Sequence, residues 1–382
     1  MSKDDINESQ NLPPKLVYVL KEFSKSPNSN SGDEENDSAV TSAVWYEKIR
    51  AAVEYQESHL MFKNSVFRIL QRNILLYPKI RTERLFNTLV SELVWANYIT
   101  PKTLDEKKSI KVSQILQKYL KIIKRANSVN RTNTDIVRYL AGLCACDIEE
   151  EIFSKKKRAE KEYLDFVYSA LADNFQINEL YISKEDHVVQ LKMAIYINTI
   201  KPDIGYSSYY ALKLFYPTWR NMSEEEALKI TKSIDPFISS FERCLYSSYK
   251  NKYLLTVRNM AAPFLVLRTY LLSSDNISEK GNNQKSLEYK LFQAYDTLRI
   301  QSNNRIWRGI WRALIFLLVS KMTLAFIIEI PVDRAIHGEI LWMPLIANIS
   351  LPPLLMLIAG ASIPKIPTKN SFLMKEAISE IV

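Results

Sequence analysis

Two apolar runs near the C-terminus, Ala313 to Ile330 and Ile340 to Ile363, constrain this chain more than any other feature. At ~1.5 Å per residue in a helix, each is close to the ~30 Å of a bilayer's hydrocarbon core. Lipid offers peptide groups no hydrogen-bonding partner, so such runs are expected to be helices. Pro331 to Glu339 is too short for anything but a tight connection, so the two spans are expected to pack as an antiparallel hairpin. The expected fold class is therefore mainly α: a helical soluble region followed by a C-terminal transmembrane helical hairpin.

Basic residues near the ends of the runs set an orientation. Arg299, Arg305, Arg308 and Arg312 precede the first run, Lys365, Lys369 and Lys375 follow the second, and the connection carries only Arg334. The positive-inside bias then places both termini in the cytoplasm, with the hairpin in the cytoplasmic (bacterial inner) membrane. Arg305, Trp307, Arg308, Trp311 and Arg312 are expected at one membrane interface and Trp342 at the other, where amphipathic rings and basic heads meet anionic lipid headgroups.

Lys321 lies nine residues beyond Arg312, or about 13 Å along a helix, which puts a charge near mid-membrane. Folding the hairpin about its connection brings position 321 opposite 348 or 349, so Asn348 and Ser350 are expected at the same depth. Pro344, Pro352 and Pro353 free further carbonyl acceptors in the second span. Two readings of this polar set stay open. Buried hydrogen bonds can pin the hairpin or a subunit interface, or the same groups can line an ion or proton path.

The remaining composition excludes several chemistries. Only seven glycines occur in 382 residues, none clustered, which removes the raw material of phosphate-cradling loops and Rossmann turns. The three cysteines, Cys144, Cys146 and Cys244, read as small packing residues rather than a disulfide framework, and with His59, His187 and His337 they form no metal-ligand spacing. No catalytic, metal or cofactor signature is present. The net charge of +9 fits an anionic membrane face better than nucleic acid, given the apolar runs.

Helical periodicity runs through most of the rest. Residues 1–40 read as an acidic, mobile tail carrying one short amphipathic helix after Pro13-Pro14, too brief to be stable unless it docks. Residues 41–272 read as a helical cytoplasmic domain, divided near 150–160, where the acidic triplet Glu149 to Glu151 follows a helix and the basic run Lys155 to Arg158 is expected on a solvated helix face or loop, an anionic-lipid or nucleic-acid contact being the alternative. The aromatics Tyr206, Tyr209, Tyr210, Phe215, Tyr216 and Trp219 are either core or a recognition surface. Residues 273–286 read as a linker, 287–312 as a basic membrane-proximal helix, 313–330 and 340–363 as the spans, and 364–382 as a cytoplasmic segment ending within an amphipathic helix.

The stretches YEKIRAAVEYQESHLMFKNSVFRILQRNI (Tyr46 to Ile74), LVWANYITP (Leu93 to Pro101), ALKLFYPTW (Ala211 to Trp219), AAPFLVLR (Ala261 to Arg268), RALIFLLVSKMTLAFIIEIP (Arg312 to Pro331) and PLIANISLPPLLMLIAG (Pro344 to Gly360) resemble uncharacterised membrane proteins of candidate-phyla, Patescibacteria-type bacteria. The resemblance implies no activity and no site residue. It does imply a longer protein with further spans, of which this chain is a fragment. The function expected from the residues is a membrane-anchored helical interaction or scaffold protein with a protein partner or a homo-oligomeric state; the alternative is a transporter or channel component using Lys321 and Asn348.

Overall fold

A computed structural model describes residues 12–25, 58–100, 103–129, 134–175, 183–273, 284–338, 340, 342–363 and 370–381. The chain is mainly α, with no strand among the described residues, and divides into two compact units, Pro13–Glu279 and a second that contains Lys280–Val382. The expected linker falls mostly outside the described residues, as does the expected acidic tail apart from residues 12–25.

The first unit holds α1 (Pro14–Ser24), α2 (Ser58–Leu76), α3 (Thr82–Trp95), α4 (Glu106–Val129), α5 (Thr134–Ile152), α6 (Ser154–Leu171), α7 (Lys184–Ile200), α8 (Ile204–Phe215), α9 (Glu224–Ile230), α10 (Ile234–Glu242), α11 (Lys250–Met260) and α12 (Ala262–Ser273). The organising element is α5, buried almost all round from Ile136 to Ile152 and packed by α2, α4, α6 and α8. A helix apolar on every side has to be central, and Leu140, Ala141, Leu143, Cys144 and Ala145 make it so. Each surrounding helix offers one stripe, as α3 does with Leu85, Leu89 and Leu93 at four-residue steps. Trp219, with no exposed surface, sits in this core and donates from its indole Nε1 to the Tyr119 hydroxyl at 2.9 Å. The cysteines are free and buried, as packing residues would be.

Short α1, with Pro14 at its first turn, docks by Leu16 and Val19 on α6 and α12, and Glu22 meets Arg158 at 3.6 Å. Docking supplies the stability that eleven residues lack on their own, so this helix belongs to the domain. The last turn of α5 is Glu149 to Ile152. The acidic triplet is helical, and Glu149 and Glu151 are buried, as is Asp147.

In the second unit, α13 (Gln284–Leu324) runs unbroken for 41 residues, so the membrane-proximal helix and the first apolar run are one element. A π-turn at Ala325–Glu329 follows, then α14 (Ile330–His337), then α15 (Trp342–Ala361) and α16 (Asn370–Ile381), which packs on α13. Pro331 thus does not end the helix as expected. Proline lacks the N–H that would reach residue 327 and its ring crowds that carbonyl; widening the preceding turn to an i→i+5 pattern, with the Ile330 N–H on the Ala325 carbonyl, relieves the crowding. The turn of the hairpin instead begins at Gly338, whose φ of 75° is left-handed and suits glycine.

Candidate functional site

Two fixed contacts define how α13 and α15 pack. A Cβ built on Gly360 would lie 2.8 Å from Ile310 Cδ1, and Lys321 Nζ donates to Asn348 Oδ1 at 3.3 Å. Position 310 opposite 360 and 321 opposite 348 is one consistent antiparallel register. It carries Trp311 level with residue 359, seventeen residues from Trp342 along α15, so the exposed indoles of Trp311 and Trp342 stand about 26 Å apart along the axis. Lys321 lies between them, about 15 Å from the level of Trp311 and about 10 Å from that of Trp342.

Asn348 makes a second bond: its Nδ2 donates to Glu329 Oε1. The amide therefore presents oxygen to the cation and nitrogen to the carboxylate, the arrangement that satisfies both charges at once. Glu329 was not among the residues the sequence singled out. On an α-helix eight residues rotate by about 80° beyond full turns, which would point Glu329 away from Lys321. Five residues of π-turn, at roughly 4.4 residues per turn, bring the rotation back to within about 10°. Pro331, through the π-turn, places Glu329 on the face of Lys321.

The other expected residues are placed as follows. Ser350 does not join this set, since its hydroxyl returns to the Ile346 carbonyl at 2.7 Å. Pro352 and Pro353 lie inside α15, so the carbonyls of Asn348 and Ile349 lose their partners four residues on. Trp307 and Trp311 are exposed on α13, Trp342 opens α15, and Arg308 and Arg312 are exposed, with Arg308 Nε donating to the Asn304 carbonyl at 3.3 Å. The side chain of Arg305 lies outside the described residues. Both helices are long and apolar enough to cross a membrane, and only 6% and 17% of their most apolar stretches are buried within the chain.

A separate polar cluster occupies the first unit at the C-terminal turn of α5. Carboxylates there oppose the negative end of the helix dipole, and cations from other elements offset them. Asp147, with no exposed surface, faces Lys118 Nζ at 3.4 Å and Arg220 Nε at 3.5 Å and accepts from the Tyr209 hydroxyl at 3.1 Å. Lys118 also donates to the Trp219 carbonyl at 3.0 Å. Glu149 accepts from the Tyr206 hydroxyl and faces Lys157 at 3.4 Å; Glu150 pairs with Lys213 at 2.7 Å; Glu151 pairs with Arg220 at 2.6 Å. Lys157, expected on a solvated face, is largely covered by these partners.

Burial pushes the Asp147 carboxyl above its ordinary range despite Lys118 and Arg220. For Glu150 burial acts in the same sense, but Lys213 and Arg220 outweigh it and hold the carboxyl low. Burial likewise drives the Tyr119, Tyr206 and Tyr209 phenols up, so all three stay protonated, and Tyr206 and Tyr209 donate to Glu149 and Asp147. Shifts of this kind occur at functional sites and in structural ion-pair networks alike. Among the described residues no set of three or more His, Cys, Asp or Glu side chains is disposed to hold a metal ion.

Comparison of the chain with protein-family models, with curated proteins and with solved structures returns no match, so the reading of its function rests on the geometry above.

Proposed function

We propose that this is a membrane-anchored helical protein in which α13 to α15 form a transmembrane hairpin and the first unit is a cytoplasmic interaction domain. The observation that carries this is the antiparallel packing of two apolar helices whose outward surfaces stay exposed, with tryptophans about 26 Å apart, near the thickness of a hydrocarbon core. Arg308 and Arg312 then lie beside the Trp311 belt, where anionic headgroups of the cytoplasmic leaflet would meet them. The experiment is labelling of single cysteines placed at 303, 336 and 371 in sealed inverted vesicles. Reaction at 303 and 371 from the cytoplasmic side, with 336 reactive from the other side only, is expected; release of the protein by alkaline extraction overturns the reading.

A second reading, a component of a transporter or channel, is favoured by one specific observation. Lys321, Asn348 and Glu329 form a continuous hydrogen-bonded line from mid-helix toward the hairpin turn, and ionisable groups at such depth mark proton or ion routes. Reconstituted Lys321→Met discriminates. Loss of flux with hairpin stability retained supports transport, and loss of stability with no flux in the parent supports the anchor.

A further inference from the structure

A cleft of about 690 Å³ opens in the first unit between the end of α5, α6, α7, α8 and the segment that follows α8. That volume lies within the ~300–1,000 Å³ usual for small-molecule sites. Six basic side chains and three carboxylates line it. Most of those charges are already answered: Lys157 by Glu149 and Glu160, Lys213 by Glu150, Arg220 by Glu150 and Glu151, and Arg158 by Glu22. Two are not. Lys161 on α6 and Lys192 on α7 make no ion pair among the described residues, although Asp165 stands one turn from Lys161, and the Lys192 ammonium rests only 5.0 Å over the Tyr168 ring.

Tyr196 supplies an independent sign. Its ring is 6% exposed and stacks on Tyr210 with centroids 4.1 Å apart, both rings line the cleft, and neither hydroxyl has a protein partner among the described residues, so each is left to the solvent of the cleft. A wall that brings two ammonium groups without ion pairs and two solvent-facing hydroxyl donors to one cleft suits an anion rich in acceptor oxygens.

We infer that this cleft binds a small organic phosphate ester, with Lys161 and Lys192 on the phosphate and the Tyr196 and Tyr210 hydroxyls on its remaining acceptors. A phosphate suits the set better than a single carboxylate because it has more acceptors and more charge. The cleft is larger than an inorganic phosphate needs, which leaves room for the ester group.

The test is calorimetric titration of the full chain in detergent with glycerol 3-phosphate, AMP and inorganic phosphate. Saturable binding of at least one ester is expected, tighter than inorganic phosphate, and weakened about tenfold in Lys161→Gln/Lys192→Gln. Tyr196→Phe, which removes only a hydroxyl, is expected to weaken it several-fold, while Lys124→Gln on the far exposed face of α4 leaves it unchanged. These surface and hydroxyl changes do not threaten folding, and unaltered circular dichroism checks that. Absence of saturable binding by either ester, equal binding by inorganic phosphate, or binding indifferent to the double substitution overturns the inference. Repeating the titration in nanodiscs with and without phosphatidic acid separates sources: competition assigns the phosphate to a lipid headgroup, and its absence to a soluble ester.

Discussion

Replacing Lys118 with methionine tests whether the polar end of α5 is held by its cations. The ammonium is 3.4 Å from Asp147 and 3.0 Å from the Trp219 carbonyl, and its side chain is 5% exposed. At an effective dielectric near 20, the attraction at that distance is about 5 kcal/mol, and removing one member of a buried pair costs ~3–5 kcal/mol. Arg220 and Tyr209 remain beside Asp147, so the lower end, about 3 kcal/mol, is expected near neutral pH. The pH dependence fixes the cause. Burial raises the folded-state pKa of Asp147, so between the unfolded carboxylate value and the raised one the folded state binds more protons and stability falls as pH rises. Deleting Lys118 removes an influence that lowers this pKa and extends that fall upward. The loss should therefore be full above the folded pKa and shrink to roughly 1–2 kcal/mol in acid, where a neutral carboxyl leaves mainly the orphaned Trp219 carbonyl. Urea unfolding in mild detergent, followed by circular dichroism at about pH 7.5 and about pH 5, measures both. A loss under ~1 kcal/mol at neutral pH, or one indifferent to pH, refutes the reasoning.

Other changes address the remaining elements. Gly360→Val forces branched carbon into Ile310, already 2.8 Å from a bare Cβ, and should destabilise the hairpin by ~1–3 kcal/mol in steric-trap unfolding, with Ile310→Ala restoring most of it. Asn348→Leu removes the amide between Lys321 and Glu329 and should weaken the hairpin by ~1–2 kcal/mol in the same assay; unchanged stability would mean that the two charges need no bridge. Ser223→Ala dissolves the capping box of α9, in which Ser223 and Glu226 bond each other's backbone N–H groups, and should cost about 1 kcal/mol in urea unfolding.

Where the physics is local, the sequence was readable. The meeting of Lys321 and Asn348 follows from counting residues about a hairpin turn, and the apolar stripes of α3 and α4 from three- and four-residue spacing. Glu329 was hidden because α-helical periodicity points it elsewhere, and only the effect of Pro331 on the turn before it returns it to the face of Lys321. The ion pairs at the acidic turn of α5, and the covering of Lys157 where a solvated face was expected, were not legible because local pattern gives no sign of partners arriving from far along the chain: Lys118 is 29 residues before Asp147, and Arg220 is 69 residues beyond Glu151. The phosphate cleft was invisible for the same reason, since its two unanswered lysines belong to separate helices with unremarkable surface patterns.

A 41-residue helix is a rod of about 62 Å, and a rod transmits torque. Any twist applied near Gln284 arrives at Lys321 with little loss, because every intervening turn is locked by its own backbone bonds. The widened turn beyond Leu324 lies past the end of that rod and sets which way the residues after it face. With α-helical winding in its place Glu329 would face most of a right angle away and leave the Asn348 amide without its carboxylate, so the angle carried to Lys321 reaches Glu329 only through that turn.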